Sequence, residues 1–161
     1  MVIFRMNKIK LFISDVDGTL TDGGMYYSSQ GELMKKFNTR DAVGLRLLQE
    51  SNVKVALITG EDSDIVRARA AKLNIDHLFT GINDKVKILD HLCSELNITP
   101  KQVSYVGDDI NDLEIIKQVG LSFAVYDAEP IISDTATIQL STSGGHGAVR
   151  EAARYILEHN L

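Results

Sequence analysis

Three apolar segments of strand length in this chain each end at acidic or hydroxyl residues. In chain order, the residues at these three boundaries are Asp15 and Asp17, then Thr59, then Asp108 and Asp109. The carboxyl ends of parallel strands lie at one edge of a sheet, and ligands bind there where the strand order switches. We therefore expect these residues, although far apart in the sequence, to meet in one crevice.

The remaining pattern supports a parallel sheet. Apolar runs of strand length alternate with segments of helical period, which predicts helices on both faces of the sheet. Strands are predicted over 9–16, 53–58, 103–106 and 121–125, with a possible edge strand over 136–139; helices are predicted over 41–50, from Asp62 or Ser63 to about 73, and over 85–96, 111–119 and 148–157. The predicted fold is α/β, a doubly wound, Rossmann-like sheet in a single domain over residues 1–161.

Composition narrows the classes of function. The chain has 161 residues, of which 44% are hydrophobic, so it can fill a core. Its formal net charge is -5, so it lacks the excess of basic residues that nucleic-acid-binding proteins have. Charged and polar residues interrupt the N-terminal segment MVIFRMNKIKLFI, so it resembles neither a signal peptide nor a membrane span. We expect a cytoplasmic protein that binds neither nucleic acid nor membrane.

Cys93 is the only cysteine of the chain, which excludes an internal disulfide and a cysteine-based zinc site. It shares one stripe of the predicted helix 85–96 with Val86, Leu89, Leu92 and Leu96. Free cysteine is usually a buried apolar residue. Cys93 is therefore predicted to belong to the core.

One segment departs from the alternation of strands and helices. Residues 24–38 are predicted to form two short strands around a Ser-Ser-Gln-Gly turn, inserted between the first strand and its helix. The segment is rich in apolar and aromatic residues, and an isolated hairpin is only marginally stable in water. Two interpretations remain open: one face folds back on the parent domain, or hairpins from several subunits pack together.

The acidic residues after the first strand suit phosphoryl transfer. A carboxylate at Asp15 can attack phosphorus and form an aspartyl-phosphate, and Asp17 can exchange a proton with the leaving group and the hydrolytic water. Both acids would repel a phosphate in the absence of a cation. Mg²⁺ prefers oxygen ligands, so the carboxylates of Asp15 and Asp108 with a backbone carbonyl would suit it.

Two further positions complete this predicted site. Lys85 can neutralise charge on the nucleophile and on the transferred group, while the Thr59 hydroxyl and the Gly60 amide can hold phosphate oxygens. Thr59 and Lys85 each have an ordinary structural alternative: Thr59 as a turn residue at the end of a strand, and Lys85 as a solvated helix residue. A calcium loop starting at Asp15 is excluded because its sixth position is Leu20 and its twelfth is Tyr26.

These residues resemble the motifs of the haloacid dehalogenase-like phosphohydrolases. Asp15-Val16-Asp17-Gly18-Thr19 is similar to the first motif, Thr59 to the second, Lys85 to the third and Gly107-Asp108-Asp109 with Asp112 to the fourth. The resemblance implies that Asp15 is the nucleophile and Asp17 the acid/base, and that the metal is held by Asp15, Asp17 and Asp108. Asp109 or Asp112 would be the supporting acid near Lys85. The spacing leaves no room for a cap domain.

From about Lys8 to Leu157 the chain is more specifically similar to the 3-deoxy-D-manno-octulosonate 8-phosphate phosphatases and their nonulosonate 9-phosphate relatives. The similarity includes Asp22-Gly23-Gly24-Met25-Tyr26, Lys36-Phe37-Asn38, Arg40-Asp41 and the C-terminal glycine loop that opens the segment 144–161. It implies a sugar acid phosphate as substrate. It also implies a homotetramer in which hairpins form a central barrel and neighbouring subunits close each site.

One position departs from the octulosonate pattern. Glu61 stands where those phosphatases usually carry arginine, and a carboxylate there would repel the carboxylate of the substrate unless a cation balanced it. Arg69 and Lys72, on the following predicted helix, are candidates for that balance. This combination is more similar to the nonulosonate 9-phosphate relatives; the alternative is a surface salt bridge unrelated to substrate.

Two other classes of function use similar residues. A signalling receiver domain also has an aspartyl-phosphate, Mg²⁺, a threonine and a lysine, but its acidic pair precedes the phosphoacceptor, and it lacks an acid at the position of Asp17. A catalytically silent assembly domain, related to those attached to acylneuraminate cytidylyltransferases, is the other alternative. The intact set of four motifs argues against it.

Overall fold

A computed structural model describes residues 7–159, so the first six and last two residues of the predicted domain lie outside the described residues. The strands are β1 (Leu11–Ser14), β2 (Tyr26–Ser28), β3 (Gly31–Met34), β4 (Lys54–Ile58), β5 (His77–Phe79), β6 (Val103–Gly107), β7 (Leu121–Ala124) and β8 (Ile138–Gln139). Six of them form one sheet in the order β5-β4-β1-β6-β7-β8, and every pair in it is parallel. The order switches at β1, where ligands are expected to bind.

Helices cover both faces of the sheet. They are α1 (Thr39–Glu50), α2 (Asp64–Lys72), α3 (Lys85–Leu96), α4 (Leu113–Ile116), α5 (Pro130–Thr135) and α6 (Ala148–His159). Phe12 and Val55 pack with α1, α2 and α6, whereas Leu11 and Ile13 pack with α3, α4 and α5. Neighbouring residues of a strand point to opposite faces, which is why β1 is apolar throughout. The predicted doubly wound α/β fold is confirmed.

Two elements were not predicted, and one differs from its prediction. β5 has three half-buried residues and α5 has six residues, so both are too short to show a clear hydrophobic period. The helix predicted over 111–119 is instead a 3-10 turn, Ile110–Asp112, followed by the short α4. Asp109 caps the start of this turn by accepting a hydrogen bond from the amide of Ile110.

The insertion between β1 and α1 consists of the antiparallel hairpin formed by β2 and β3. An isolated antiparallel bridge between Thr21 and Phe37 closes its base. Within the described residues between β1 and α3, no other insertion interrupts the sheet, and no segment forms a cap domain.

The C-terminal glycine loop lies against the loop that follows β1. A Cβ atom on Gly144 would stand 1.8 Å from the carbonyl oxygen of Gly18, so only glycine permits this approach. The amide of Gly145 donates to the carbonyl oxygen of Thr19 at 3.0 Å. The glycine loop therefore supports the backbone that carries Asp15 and Asp17.

Cys93 is buried in α3 among the apolar residues of one face, which confirms that it belongs to the core.

None of the helices in residues 7–159 combines the length and the apolar character that crossing a membrane requires.

Candidate active site

The carboxyl ends of β1, β4 and β6 meet around one cavity of about 250 Å³. Parallel strands bring these ends together, as the three apolar segments predicted. The residues that line the cavity are Asp15, Asp17, Thr59, Gly60, Glu61, Asp108, Asp109, Ile110 and Asn111. The structure therefore brings together residues from all three strand ends and leaves space for a small ligand.

Lys85 lies beneath this cavity and binds two of the acids. Its ammonium nitrogen is 2.7 Å from Oδ1 of Asp15 and 2.7 Å from Oδ1 of Asp112, and all three side chains are buried. Lys85 is the first residue of α3, where Asp84 caps the helix by accepting a hydrogen bond from the amide of Lys87. The cap fixes the start of the helix and therefore the position from which Lys85 reaches the acids.

Tyr105 is a member of this cluster that sequence reasoning missed. Its hydroxyl lies 3.0 Å from Nζ of Lys85 and donates to Oδ1 of Asp112. A tyrosine inside the apolar run of β6 was the available signal, because a buried tyrosine hydroxyl usually has a hydrogen-bond partner.

Asp112 organises the loop after β6. Its Oδ2 accepts hydrogen bonds from the amides of Asp108 at 2.9 Å and Asp109 at 3.3 Å, while its Oδ1 pairs with Lys85. The side chain of Asp109 instead caps the amide of Ile110 and is exposed. Of the two acids considered for support of Lys85, the structure therefore places Asp112 in contact with it.

The carboxylates form a site that suits a metal ion. Oxygen atoms of Asp15, Asp108 and Asp112 all lie within 4.8 Å of one another. Burial first, and then the charge of Asp112, raise the pKa of Asp15 despite the neighbouring Lys85; burial likewise raises the pKa of Asp108 to about 6. A divalent cation would relieve this unfavourable concentration of negative charge. Asp112 is already bound by Lys85 and two amides, so Asp15 and Asp108 are the carboxylates that fit as ligands.

Gly18 allows Asp108 to approach the loop after β1. Its φ is +84°, and a Cβ atom there would lie 2.0 Å from Oδ2 of Asp108. Glycine is favoured at such a backbone angle and leaves the space that the carboxylate occupies. The hydroxyl of Thr19 also donates to Oδ1 of Asp108, at 3.3 Å.

The carboxylate of Asp17 contacts Lys35 and Thr59 and is not among the acids grouped as a possible metal site. Its Oδ1 is 2.5 Å from Nζ of Lys35, and its Oδ2 accepts a hydrogen bond from the Thr59 hydroxyl at 3.4 Å. Asp17 is not a member of the carboxylate group formed by Asp15, Asp108 and Asp112. The resemblance implied Asp17 as a third metal ligand, and the structure places its carboxylate outside the group that could hold an ion.

Lys35 was also missed by sequence reasoning. It lies just after β3, at the end of the hairpin, and also forms an ion pair with Glu32 at 2.7 Å. Burial lowers the pKa of Lys35, but the hydrogen bonds and charges of Asp17 and Glu32 outweigh burial, so the pKa is raised overall. Lys35 therefore stays protonated beside Asp17.

Comparison with known proteins agrees with this geometry. Residues 69–152 match the family model described as haloacid dehalogenase-like hydrolase. The 3-deoxy-D-manno-octulosonate 8-phosphate phosphatase of Yersinia pestis is 44% identical over 156 residues, which cover 97% of this chain and 83% of that protein. The chain belongs to this phosphatase family of haloacid dehalogenase-like hydrolases.

Solved structures of the family superpose closely on the chain. The Y. pestis phosphatase has a TM-score of 0.94 and 43% identity, covering 99% of this chain and 86% of its own. The Moraxella catarrhalis phosphatase, in complex with a magnesium ion, a phosphate ion and KDO, has a TM-score of 0.92 and 36% identity, covering 96% and 89%. The chain is a phosphatase, and residues 7–159 contain no cap domain.

The residues considered for substrate specificity do not all reach the cavity of this family member. Glu61 lines the cavity and is exposed. Arg69 instead lies over the ring of Phe37, 5.3 Å from its centroid, and Lys72 lies in a separate groove on the surface of α1 and α2. Within one chain, the structure therefore brings Glu61, but neither cation, to the lining of the cavity.

Proposed function

We propose that this phosphatase hydrolyses the terminal phosphate of a 2-keto-3-deoxy sugar acid phosphate through an aspartyl-phosphate. The observation that carries the proposal is the buried Asp15 carboxylate, which faces the cavity while Lys85 holds its Oδ1 at 2.7 Å from below. A carboxylate fixed in this way can attack a phosphorus atom from one direction. The substrates of the relatives support the choice of a sugar acid.

In the first step an oxygen of Asp15 forms a bond to phosphorus, and the bond from phosphorus to the sugar oxygen breaks. Asp17 gives a proton to that departing oxygen. In the second step water attacks phosphorus, Asp17 takes a proton from it, and the bond between Asp15 and phosphorus breaks to release phosphate. Asp17 lines the cavity beside Asp15, so it is placed for both proton transfers.

Other residues bind the phosphoryl group and stabilise charge. The Thr59 hydroxyl and the Gly60 amide are proposed to hold phosphate oxygens, because both residues line the cavity at the end of β4. Lys85 balances the negative charge of Asp15 and Asp112, and through them the charge that accumulates on the transferred group.

The proposed metal is Mg²⁺, held by the carboxylates of Asp15 and Asp108 and the backbone carbonyl of Asp17. When bound, it would reduce the repulsion between these acids and the incoming phosphate. The relatives with magnesium or cobalt in their structures support this choice. Excess chelator should abolish turnover and added Mg²⁺ should restore it; turnover that persists in excess chelator would contradict the proposed metal site.

The hairpin supports a homotetramer as the active assembly. Residues with large exposed apolar side chains gather on it, namely Met25, Tyr26, Tyr27, Leu33 and Met34. A large exposed apolar patch on a small protein marks an interface. Hairpins packed around a central axis would bury this surface and bring a neighbouring subunit to the mouth of each cavity.

The substrate is best tested with a panel. Phosphate release should be measured with an octulosonate 8-phosphate, a nonulosonate 9-phosphate and hexose phosphates at equal metal concentration. We expect kcat/KM for at least one of the two ulosonate phosphates to exceed kcat/KM for hexose phosphates by about a hundredfold. Equal, low activity with all of them would favour the silent assembly domain.

Glu61 is proposed to distinguish the two ulosonates. Glu61→Arg should lower kcat/KM for the nonulosonate 9-phosphate and spare or raise that for the octulosonate 8-phosphate, because the sign of the charge beside the cavity is reversed. Lys87→Glu, a charge reversal at an exposed position on α3, serves as the control. If Glu61→Arg changes both efficiencies equally, or neither, Glu61 has no part in substrate choice.

A further inference from the structure

Lys35 is a buried cation on a hairpin that is otherwise largely exposed. Its side chain is 0% exposed, and its ammonium nitrogen lies between Oδ1 of Asp17, at 2.5 Å, and Oε1 of Glu32, at 2.7 Å. Burying an ammonium group is costly unless acids compensate for its lost hydration. The two carboxylates provide that compensation, so Lys35 is fixed in place between them.

The carboxylate of Asp17 is held from two sides. Lys35 contacts its Oδ1, and the hydroxyl of Thr59 donates to its Oδ2 at 3.4 Å. Its side chain nevertheless remains 25% exposed and lines the cavity. The contacts therefore fix the orientation of Asp17 without removing it from the space where a leaving group would stand.

Glu32 connects this arrangement to the rest of the site. It belongs to β3, and its Oε2 lies within 3.5 Å of the hydroxyl of Ser63, the residue that precedes α2. Lys35 thus contacts Asp17 from the loop after β1 and Glu32 from the hairpin. Glu32 in turn contacts Ser63, just before α2. Movement of the hairpin would move the cation that orients Asp17.

We propose that Lys35 is a positioning residue that holds Asp17 ready to exchange protons with the leaving group, and that it couples the hairpin to catalysis. This inference rests on the proposed function, because Asp17 is the proton donor and acceptor only in that reaction. Accurate placement of a catalytic group accounts for a large part of its effect on the rate.

Lys35→Met tests the proposal because methionine retains much of the buried side-chain volume but not the charge. For an alkyl phosphate, whose leaving oxygen needs a proton, kcat should fall about thirtyfold while KM stays within about twofold. For p-nitrophenyl phosphate, release of p-nitrophenolate in the first turnover should fall by less than about threefold, because that leaving group needs no proton. Lys36→Met, at the adjacent exposed lysine that pairs with Asp22 at 3.6 Å, is the matched control and should leave both rates unchanged.

A double-mutant cycle keeps the test valid if Lys35→Met is unstable. In an Asp17→Asn background the added change Lys35→Met should alter kcat by less than about twofold, because Lys35 acts through Asp17. Lys35→Arg retains the charge and should restore at least part of the alkyl phosphate activity that Lys35→Met loses. If Lys35→Met slows both leaving groups equally, or if its effect persists unchanged beside Asp17→Asn, then Lys35 acts on structure or on phosphate binding and the proposal is wrong.

Failure of the proposed function gives a different result. If the wild-type protein fails to prefer ulosonate phosphates in the substrate panel, the proposed substrate is wrong. The role of Lys35 in positioning Asp17 can still be tested with p-nitrophenyl phosphate and a simple alkyl phosphate. If Asp17→Asn itself leaves alkyl phosphate turnover intact, the assignment of Asp17 falls, and the inference about Lys35 falls with it.

Discussion

The buried cluster around Lys85 and the hairpin differ in how they use their side chains. Lys85, Asp112 and Tyr105 are buried and bind one another directly, although they come from α3, the turn after β6 and β6 itself. The hairpin instead exposes Tyr26 and Tyr27 and has a single buried cation, Lys35, among the residues of β3 and its end. The contacts of the first region are made within one chain, whereas the second has an apolar surface that one chain leaves uncovered.

This difference indicates a division of roles. Within the buried cluster Lys85 pairs with both Asp15 and Asp112, so residues of the same chain hold the side chain of the proposed nucleophile in place. The hairpin contributes Lys35 and Glu32 to the neighbourhood of Asp17, and its exposed apolar side chains are available for assembly. We therefore expect changes in the cluster to affect chemistry and changes on the exposed apolar face of the hairpin to affect assembly first.

The largest effect is expected at Asp15, the proposed nucleophile. Asp15→Asn should reduce phosphate release to below about 0.1% of the wild-type rate, because the amide cannot attack phosphorus in its place. The fold and the assembly should persist, since asparagine has nearly the same volume. Steady-state phosphate release and light scattering would check both, and activity above a few per cent of wild type would contradict the assignment of Asp15.

A charge on the apolar face of the hairpin should break the assembly while sparing the cluster. Tyr26→Lys or Met34→Lys, which face each other across the two strands, should each produce smaller species in light scattering. Activity toward the sugar acid should fall about tenfold, because in the proposed tetramer a neighbouring subunit closes the site. Phe37 is a poor choice for this test because it packs against the core.

The matched control for the hairpin variants is Val43→Lys, at an exposed apolar residue on α1. It should change neither mass nor activity. A wild-type protein that is monomeric at micromolar concentration and fully active would show that the hairpin is not an interface.

A smaller effect is expected inside the cluster at Tyr105. Tyr105→Phe removes only the hydroxyl that contacts Lys85 and Asp112. We expect a loss of about 1–2 kcal/mol in the free energy of unfolding and a fall of about threefold in kcat, since Lys85 keeps both of its acids. Denaturant unfolding and phosphate release measure the two effects. Tyr126→Phe, at an exposed tyrosine, is the control. An equal loss of stability and kcat in that variant would show that the contacts of the Tyr105 hydroxyl have no specific effect.

The smallest effect on activity concerns Asp41, a buried acid on α1 whose Oδ1 accepts a hydrogen bond from the amide of Arg150 at 3.0 Å. Burial raises its pKa from 3.8 to about 6 despite hydrogen bonds from the start of α6. Because the folded-state pKa is raised, its contribution favours folding at low pH and is lost as the pH rises through about 6.

Asp41→Asn should remove this pH dependence. Relative to wild type, the variant should gain about 1–2 kcal/mol in the free energy of unfolding as the pH rises from 4 to 7.5. Urea unfolding at several pH values checks the prediction, and activity at neutral pH should be unchanged. A stability difference that stays constant between pH 4 and 7.5 would show that Asp41 does not titrate in this range.

The sequence alone predicted the elements with long, strong patterns. The helix predicted over 85–96 matches α3, and the buried strands β1, β4 and β6 were predicted within two residues at each end. Asp15, Asp17, Thr59 and Asp108 were predicted to share a crevice because each follows such a strand. The sequence could not indicate β5, since three half-buried residues at the edge of a sheet have no distinctive period.

What the sequence determined by itself was the parallel sheet and the acids at its edge, because hydrophobic period and strand-end residues are local features. Only the tertiary structure decided that Asp112 contacts Lys85, that Tyr105 joins them, and that Arg69 lies over Phe37 at a distance from the cavity lining. It also placed Lys35 against Asp17, 18 positions away in the chain. These are contacts between side chains of different elements, and their geometry depends on how the helices and the hairpin pack on the sheet.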